Sequence, residues 1–203
     1  MPRRRRVSRG TRQSARRVAG AALAATLLLG GCASRRAGVT YHDPDMDFSL
    51  VGTVAVLPFA NLSGNTRAGD AVRDVFMTML QATGSMYVLP PGEVGRGVDR
   101  LSLSAPSEPT SEQVVQLASI LGADVVIVGS VLEYGEVRSG SNSSGVVSVG
   151  LKMLEGQTGR VVWSASSSAG GVSAAARVFG GGGRPMDNVT RKAVDKLLDR
   201  LFL

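Results

Sequence analysis

Two runs of consecutive apolar residues constrain this chain more than any other feature. Residues 51–59 read VGTVAVLPF and residues 124–131 read DVVIVGSV. A strand that is apolar at nearly every position, rather than at alternate ones, buries both of its faces and belongs in the middle of a covered sheet. The covers are visible as well. Ala68, Ala71, Val72, Val75, Phe76, Met79 and Leu80 recur at helical spacing, as do Val114, Leu117, Ala118 and Leu121. Near the C terminus Met186, Val189, Ala193, Val194, Leu197, Leu198 and Leu201 form a third apolar stripe. Strands that need two covers, with helices between and after them, predict an α/β fold: a mixed β-sheet of about five strands packed by three or four helices.

Punctuation sets the boundaries. The five strands are read at residues 51–59, 86–89, 124–137, 146–154 and 160–168, with Pro58 and Pro90–Pro91 as stops. The last two strands flank a turn at residues 155–159 and form a hairpin. Residues 139–145 read as a Gly/Ser loop. Asn65 or Thr66 caps the first helix and Gly84 ends it. Thr110-Ser111-Glu112-Gln113 is a capping-box pattern, and Gly122 is the stop of that helix. Residues 93–101 form a weaker helix, because Gly95 and Gly97 lower its propensity. Residues 180–183 are a glycine joint, and Pro185 opens the last helix.

Charge excludes one class of partner. The chain of 203 residues has a formal charge of +7, but eight arginines lie in its first 17 residues: Arg3, Arg4, Arg5, Arg6, Arg9, Arg12, Arg16 and Arg17. Taking those eight from the 23 Lys+Arg leaves 15 against 16 Asp+Glu, so the rest of the chain is near neutral. No basic footprint for a phosphate backbone remains, and nucleic acid is not an expected partner.

The N terminus reads as an address. After the arginines, residues 18–29 form a short apolar run, too short for a bilayer span of about 20 residues and of the right length for the core of a secretory signal. Leu29-Gly30-Gly31-Cys32 follows, and Cys32 is the sole cysteine. These residues resemble a bacterial lipoprotein signal. The resemblance implies cleavage between Gly31 and Cys32, acylation of the Cys32 thiol and a palmitate-type anchor. Ala33 and Ser34, with no aspartate beside the cysteine, resemble the pattern sorted to the outer membrane of a diderm cell, on its periplasmic side. The expected organisation is a signal peptide over residues 1–31, a lipidated Cys32 with a flexible tether to residue 50, and an α/β domain over residues 51–203. The 18 residues 33–50 would span at most about 60–65 Å.

Three stretches of the domain carry a second resemblance: VAVLPFANLSG at residues 54–64, LGADVVIVGSV at 121–131 and TGRVVWS at 158–164. Their order and spacing resemble the α/β domain shared by CsgG-like curli-secretion lipoproteins, LpoB-type activators of penicillin-binding proteins and the N-terminal domain of TolB. The resemblance implies an envelope protein that binds other proteins and is not an enzyme. The chain departs from the curli pore, because the candidate hairpin around residues 139–145 is short. It departs from LpoB-type activators in the length of its tether.

Chemical motifs are few. No phosphate loop, nucleophile elbow or multi-cysteine metal pattern is present. Asp43, Asp45 and Asp47 alternate, but a calcium loop would need Gly and Glu where Phe48 and Val54 stand, so a solvated acidic linker is expected. His42 is the sole histidine. Trp163, in a strand, reads as a core residue in preference to a ligand anchor. Tyr134 and Glu133 are candidates to face a partner. Lys192, Lys196 and Arg200 read as the solvated face of the last helix. No cofactor, no metal and no catalytic residue is expected. The leading reading is a lipid-anchored, periplasm-facing binding lipoprotein that serves as an envelope-assembly or secretion accessory. A ring-forming CsgG-like secretion component and an LpoB-like activator of a peptidoglycan synthase are the alternatives. The expected partners are the membrane, through the lipid, and envelope proteins, including further copies of the chain.

Overall fold

The computed structural model describes residues 39–139, 142–170 and 185–202. In chain order these form β1 (Thr40–His42), a 3-10 turn (Phe48–Leu50), β2 (Thr53–Val56), β3 (Ala60–Asn61), α1 (Ala68–Thr83), β4 (Tyr87–Val88), α2 (Pro91–Arg100), α3 (Ser111–Leu121), β5 (Val125–Ser139), β6 (Asn142–Glu155), β7 (Val161–Gly170) and α4 (Met186–Leu201). The unit Met1–Ala37, which holds the expected signal, cleavage site and Cys32, lies outside the described residues. So does the glycine joint at 180–183.

The α/β class is as expected, with seven strands described. The sheet runs β1-β7-β6-β5-β2-β4, and β3 also pairs with β5. β2 is parallel to β4 and β5, and β3 is parallel to β5, whereas β1–β7, β5–β6 and β6–β7 are antiparallel. The two additional strands have physical causes. Pro58 has no N–H, so the ladder that Leu57 N closes on Ile127 O at 2.9 Å is interrupted and resumes at Ala60. β1 comes from the segment expected to be tether. Thr40, Tyr41 and His42 pair with Ala165, Ser164 and Trp163, because the edge of β7 offers unpaired backbone groups there.

β5 alternates between two cores. Val125, Ile127 and Val131 face α1 and α4 with Val54, Val56, Val149, Met153 and Trp163. Val126 faces α2 and α3 with Ala55, Leu57, Leu117 and Leu154. Continuous apolarity at the start of β5 is thus the signature of covers on both sides. Gly129 leaves room for a packed ring: a Cβ there would stand 2.6 Å from Phe59 Cδ1.

Local signals acted largely as read. Thr110 Oγ1 accepts from Gln113 N at 3.3 Å while Gln113 Oε1 accepts from Thr110 N at 2.9 Å, completing the capping box. Thr110→Ala should lower stability by about 1 kcal/mol, measurable by urea unfolding; an unchanged midpoint would contradict the cap. Gly84 and Gly122 end their helices in the left-handed region, at φ 65° and 64°. The start of α1 differs from expectation. Its N-cap is Arg67, and Asn65 acts two residues earlier by accepting from Arg67 N at 3.0 Å. The β5–β6 hairpin differs more. Residues 139–145 were expected to be a loop of a short hairpin, yet pairing continues to Ser139↔Asn142. Small residues do not break an antiparallel ladder that side chains also bridge, and Ser143 Oγ donates to Glu136 Oε2 at 2.7 Å.

Candidate interaction surface

The first feature of the surface is the seam where the chain enters the fold. Asp43 N extends the β1 ladder to Val162 O at 2.8 Å. The Asp43 carboxylate is buried, accepts from Asp45 N at 3.0 Å, and pairs with the Arg160 guanidinium at 3.1 Å. Asp47 instead caps the 3-10 turn through Ser49 N and Ser49 Oγ, and those hydrogen bonds hold its carboxyl below the usual aspartate range. Asp43 and Asp47 are therefore structural and diverge, while the Asp45 side chain is exposed, which corrects the solvated-linker reading for two of the three. Among the described residues no group of three or more His, Cys, Asp or Glu side chains is placed to hold a metal.

His42 closes the seam. Its Nε2 and the Trp163 Nε1 both reach the carbonyl of Arg200, at 3.1 and 3.3 Å, near the C-terminal end of α4. The His42 ring stands edge-on to Trp163, with centroids 6.5 Å apart, and to Phe48, at 5.7 Å. Helix carbonyls in the last turn lack intrahelical donors, so two ring N–H groups satisfy a group that would otherwise be orphaned. Trp163 is fully buried, as its strand position predicted.

The second feature is the outer edge of β7. β1 covers this edge only as far as Ala165. Beyond it, the Arg200 guanidinium donates to Ser166 O and the Lys196 ammonium to Ser168 O at 2.8 Å. Two members of the expected solvated face thus reach back to the sheet and blunt an exposed strand edge. Burial, followed by the charges of Lys192 and Arg200, pushes the Lys196 ammonium below the usual lysine value.

The third feature is a groove of about 690 Å³ on the face of β5, β6 and β7 beyond the cover of α2 and α3. Its floor includes Val128, Ser130, Gly150, Lys152, Ser164 and Ser166, and one wall is Ser107–Glu108–Pro109. Ser148 and Ser168 Oγ atoms meet at 2.9 Å on the same face. The signal was present in the sequence as serine at 164, 166 and 168, one face of a period-two strand. The strand was read there, but whether its serine face is covered is set by α2 and α3, which no local pattern shows. Hydroxyls beside an exposed Lys152 suit a polar partner, and the open floor has the size of a ligand cleft. Of the two residues expected to face a partner, Glu133 is exposed, whereas Tyr134 is half-buried against the core of α1 and α4. The residues expected for lipidation and cleavage, Cys32 and Gly31, lie outside the described residues.

A mixed sheet clad by two helices on each side, with a strand-fed entry seam and an uncovered stretch of sheet, defines an α/β domain with one open sheet face. A family model described as "Putative lipoprotein GNA1162-like" matches residues 47–200. The chain belongs to that GNA1162-like family. Among solved structures it is similar to lipoprotein GNA1162 from Neisseria meningitidis, at 18% identity over 74% of this chain and 98% of that one, with a TM-score of 0.55. It is similar to PelC from Paraburkholderia phytofirmans, solved as a dodecamer, at 19% identity over 80% of this chain and 96% of that one, with a TM-score of 0.54. The C-terminal domain of LpoB from Escherichia coli matches at 17% identity over 61% of this chain and 86% of that one, with a TM-score of 0.47. No curated protein matches the sequence.

Proposed function

We propose that the protein is a lipid-anchored, periplasm-facing, non-catalytic binding lipoprotein that serves as an envelope-assembly or secretion accessory at the outer membrane. Membership of the GNA1162-like lipoprotein family is the observation that carries this reading, and Leu29-Gly30-Gly31-Cys32 supplies the matching attachment residue. Cleavage after Gly31 makes Cys32 the N-terminal residue, and more than one acyl chain holds the domain stably, which a single chain does not. Confinement to a surface raises the effective concentration of the domain for any partner on the same membrane.

Radiolabelled palmitate should enter the wild-type protein and not Cys32→Ser. Equal labelling of both would sink the anchor. A second reading, a closed ring of copies, is favoured by the likeness to a PelC solved as a dodecamer. Native mass spectrometry of the detergent-extracted protein should then show one closed oligomer, and a monomer alone would reject the ring.

A further inference from the structure

Open strand edges recruit further strands, and this sheet blunts most of its own. The edge strands are short, with three residues in β1 and two in β4. β7 beyond Ala165 is held by Arg200 and Lys196. The edge of β5 is different. β2 and β3 cover it as far as Val131, where Leu62 N closes on Val131 O at 2.9 Å. From Leu132 onward β5 pairs with β6 alone among the described residues. Leu132, Glu133, Glu136, Val137 and Arg138 are all exposed there.

Alternation sorts this free stretch into two faces. Tyr134 packs against the core of α1 and α4, so Glu136 and Arg138 lie on that side, and Gly135 and Val137 on the other. Neither Glu136 nor Arg138 forms a salt bridge among the described residues. Charges on an edge ordinarily repel a second strand. Two charges of opposite sign, two residues apart on one face, act otherwise on an identical strand laid antiparallel, because each can stand opposite the other. Which residues meet depends on the register. Two copies related by a twofold axis perpendicular to the sheet keep the same face upward, so the axis passes through a residue that meets itself. An axis at Glu136 sets two carboxylates against each other. An axis at Gly135 sets Glu136 against Tyr134 and leaves Arg138 opposite Leu132. An axis at Val137 sets Glu136 against Arg138 twice over, with the two exposed valines meeting between them. Like charges directly opposite disfavour pairing, whereas opposite charges and β-branched pairs favour it, so the charges select the last register.

We propose that the free edge of β5 pairs antiparallel with the same edge of a second copy, with Val137 on the twofold axis and Glu136 opposite Arg138 on either side of it. Main-chain hydrogen bonds between the edges hold the pair, and the side chains set its register. The contact is isologous and closes at two copies. It therefore goes beyond the ring reading, whose contacts run head to tail, and it does not rest on the Cys32 anchor.

The test uses the purified full chain in mild detergent, oxidised with copper phenanthroline and read on non-reducing gels. The wild type, whose sole cysteine is Cys32, is the blank. Val137→Cys should form a disulfide-linked dimer at least about tenfold more than Gly135→Cys, because the two copies of residue 137 meet on the axis while those of residue 135 stand about 13 Å apart along the strands. A Cβ at 135 meets nothing within 4 Å, so the control variant is not strained. In the Val137→Cys chain, Glu136→Arg or Arg138→Glu alone should lower the dimer about tenfold, by setting like charges opposite each other. Glu136→Arg/Arg138→Glu together should restore it. Glu136→Arg also removes the hydrogen bond from Ser143, and the double variant lacks it too, so rescue reports the charge match and not the hairpin. Equal crosslinking at 135 and 137, or a maximum at 135, overturns the register. No crosslinking above the blank at either position overturns the pairing. Single reversals without effect, or a double reversal without rescue, overturn the match of Glu136 to Arg138.

Discussion

Trp163→Ala should destabilise the domain by about 3–5 kcal/mol, a large share of the roughly 5–15 kcal/mol that keeps a domain folded. Trp163 is the largest of the fully buried side chains. It stands on β7 opposite Met153 of β6 and His42 of the edge strand β1. Its indole N–H also donates to the Arg200 carbonyl. Alanine would leave a cavity under α4 and remove one of the two donors on that carbonyl. Trp163→Phe retains most of the apolar volume and loses the donor, so a smaller loss, of about 1–2 kcal/mol, is expected. Urea unfolding followed by far-UV circular dichroism measures both, since the sole tryptophan is the residue removed. A loss below about 1 kcal/mol for alanine would show that the site collapses around the cavity.

Gly159→Ala should cost about 2–4 kcal/mol, for two reasons that add. Gly159 has φ 69°, a conformation that L side chains rarely adopt. A Cβ there would also stand 2.4 Å from Ser111 O and 2.7 Å from Ser111 Cα. Those are backbone atoms of the first turn of α3, and they cannot rotate away as a side-chain tip can. Gly122→Ala is the matched control. It has a similar φ of 64° but nothing within 4 Å of the added atom, so about 1 kcal/mol of backbone strain should be the whole cost. Equal thermal shifts in the two variants would mean that the turn at 155–159 does not bear on α3.

Both positions show how an unremarkable turn or strand residue acquires its role from a neighbour far away in sequence. The periodicity of β7 marked Trp163 as buried, but its partners are His42 and Arg200, more than a hundred and nearly forty residues distant. Gly159 read as a turn glycine, and its contact with Ser111 is invisible to any local pattern.

The groove and the seam divide in the same way. Serine at 164, 166 and 168 was written in period two, yet the presence of an open face there depends on α2 and α3 stopping short. The acidic alternation of Asp43, Asp45 and Asp47 suggested a solvated linker. The structure directs Asp43 to Arg160 and Asp47 to Ser49 because the segment is pinned by β1.

Local composition by itself determined the α/β class, the helix stops at Gly84 and Gly122, the capping box at Thr110 and the placement of the apolar strands. These follow from backbone freedom, side-chain burial and short-range hydrogen bonds, all of which are set within a few residues. Only the tertiary structure decided that Thr40–His42 joins the sheet and that Lys196 and Arg200 close the β7 edge. Each of these depends on which edge lies free for pairing, and a strand edge becomes free or covered only when distant segments have taken their places.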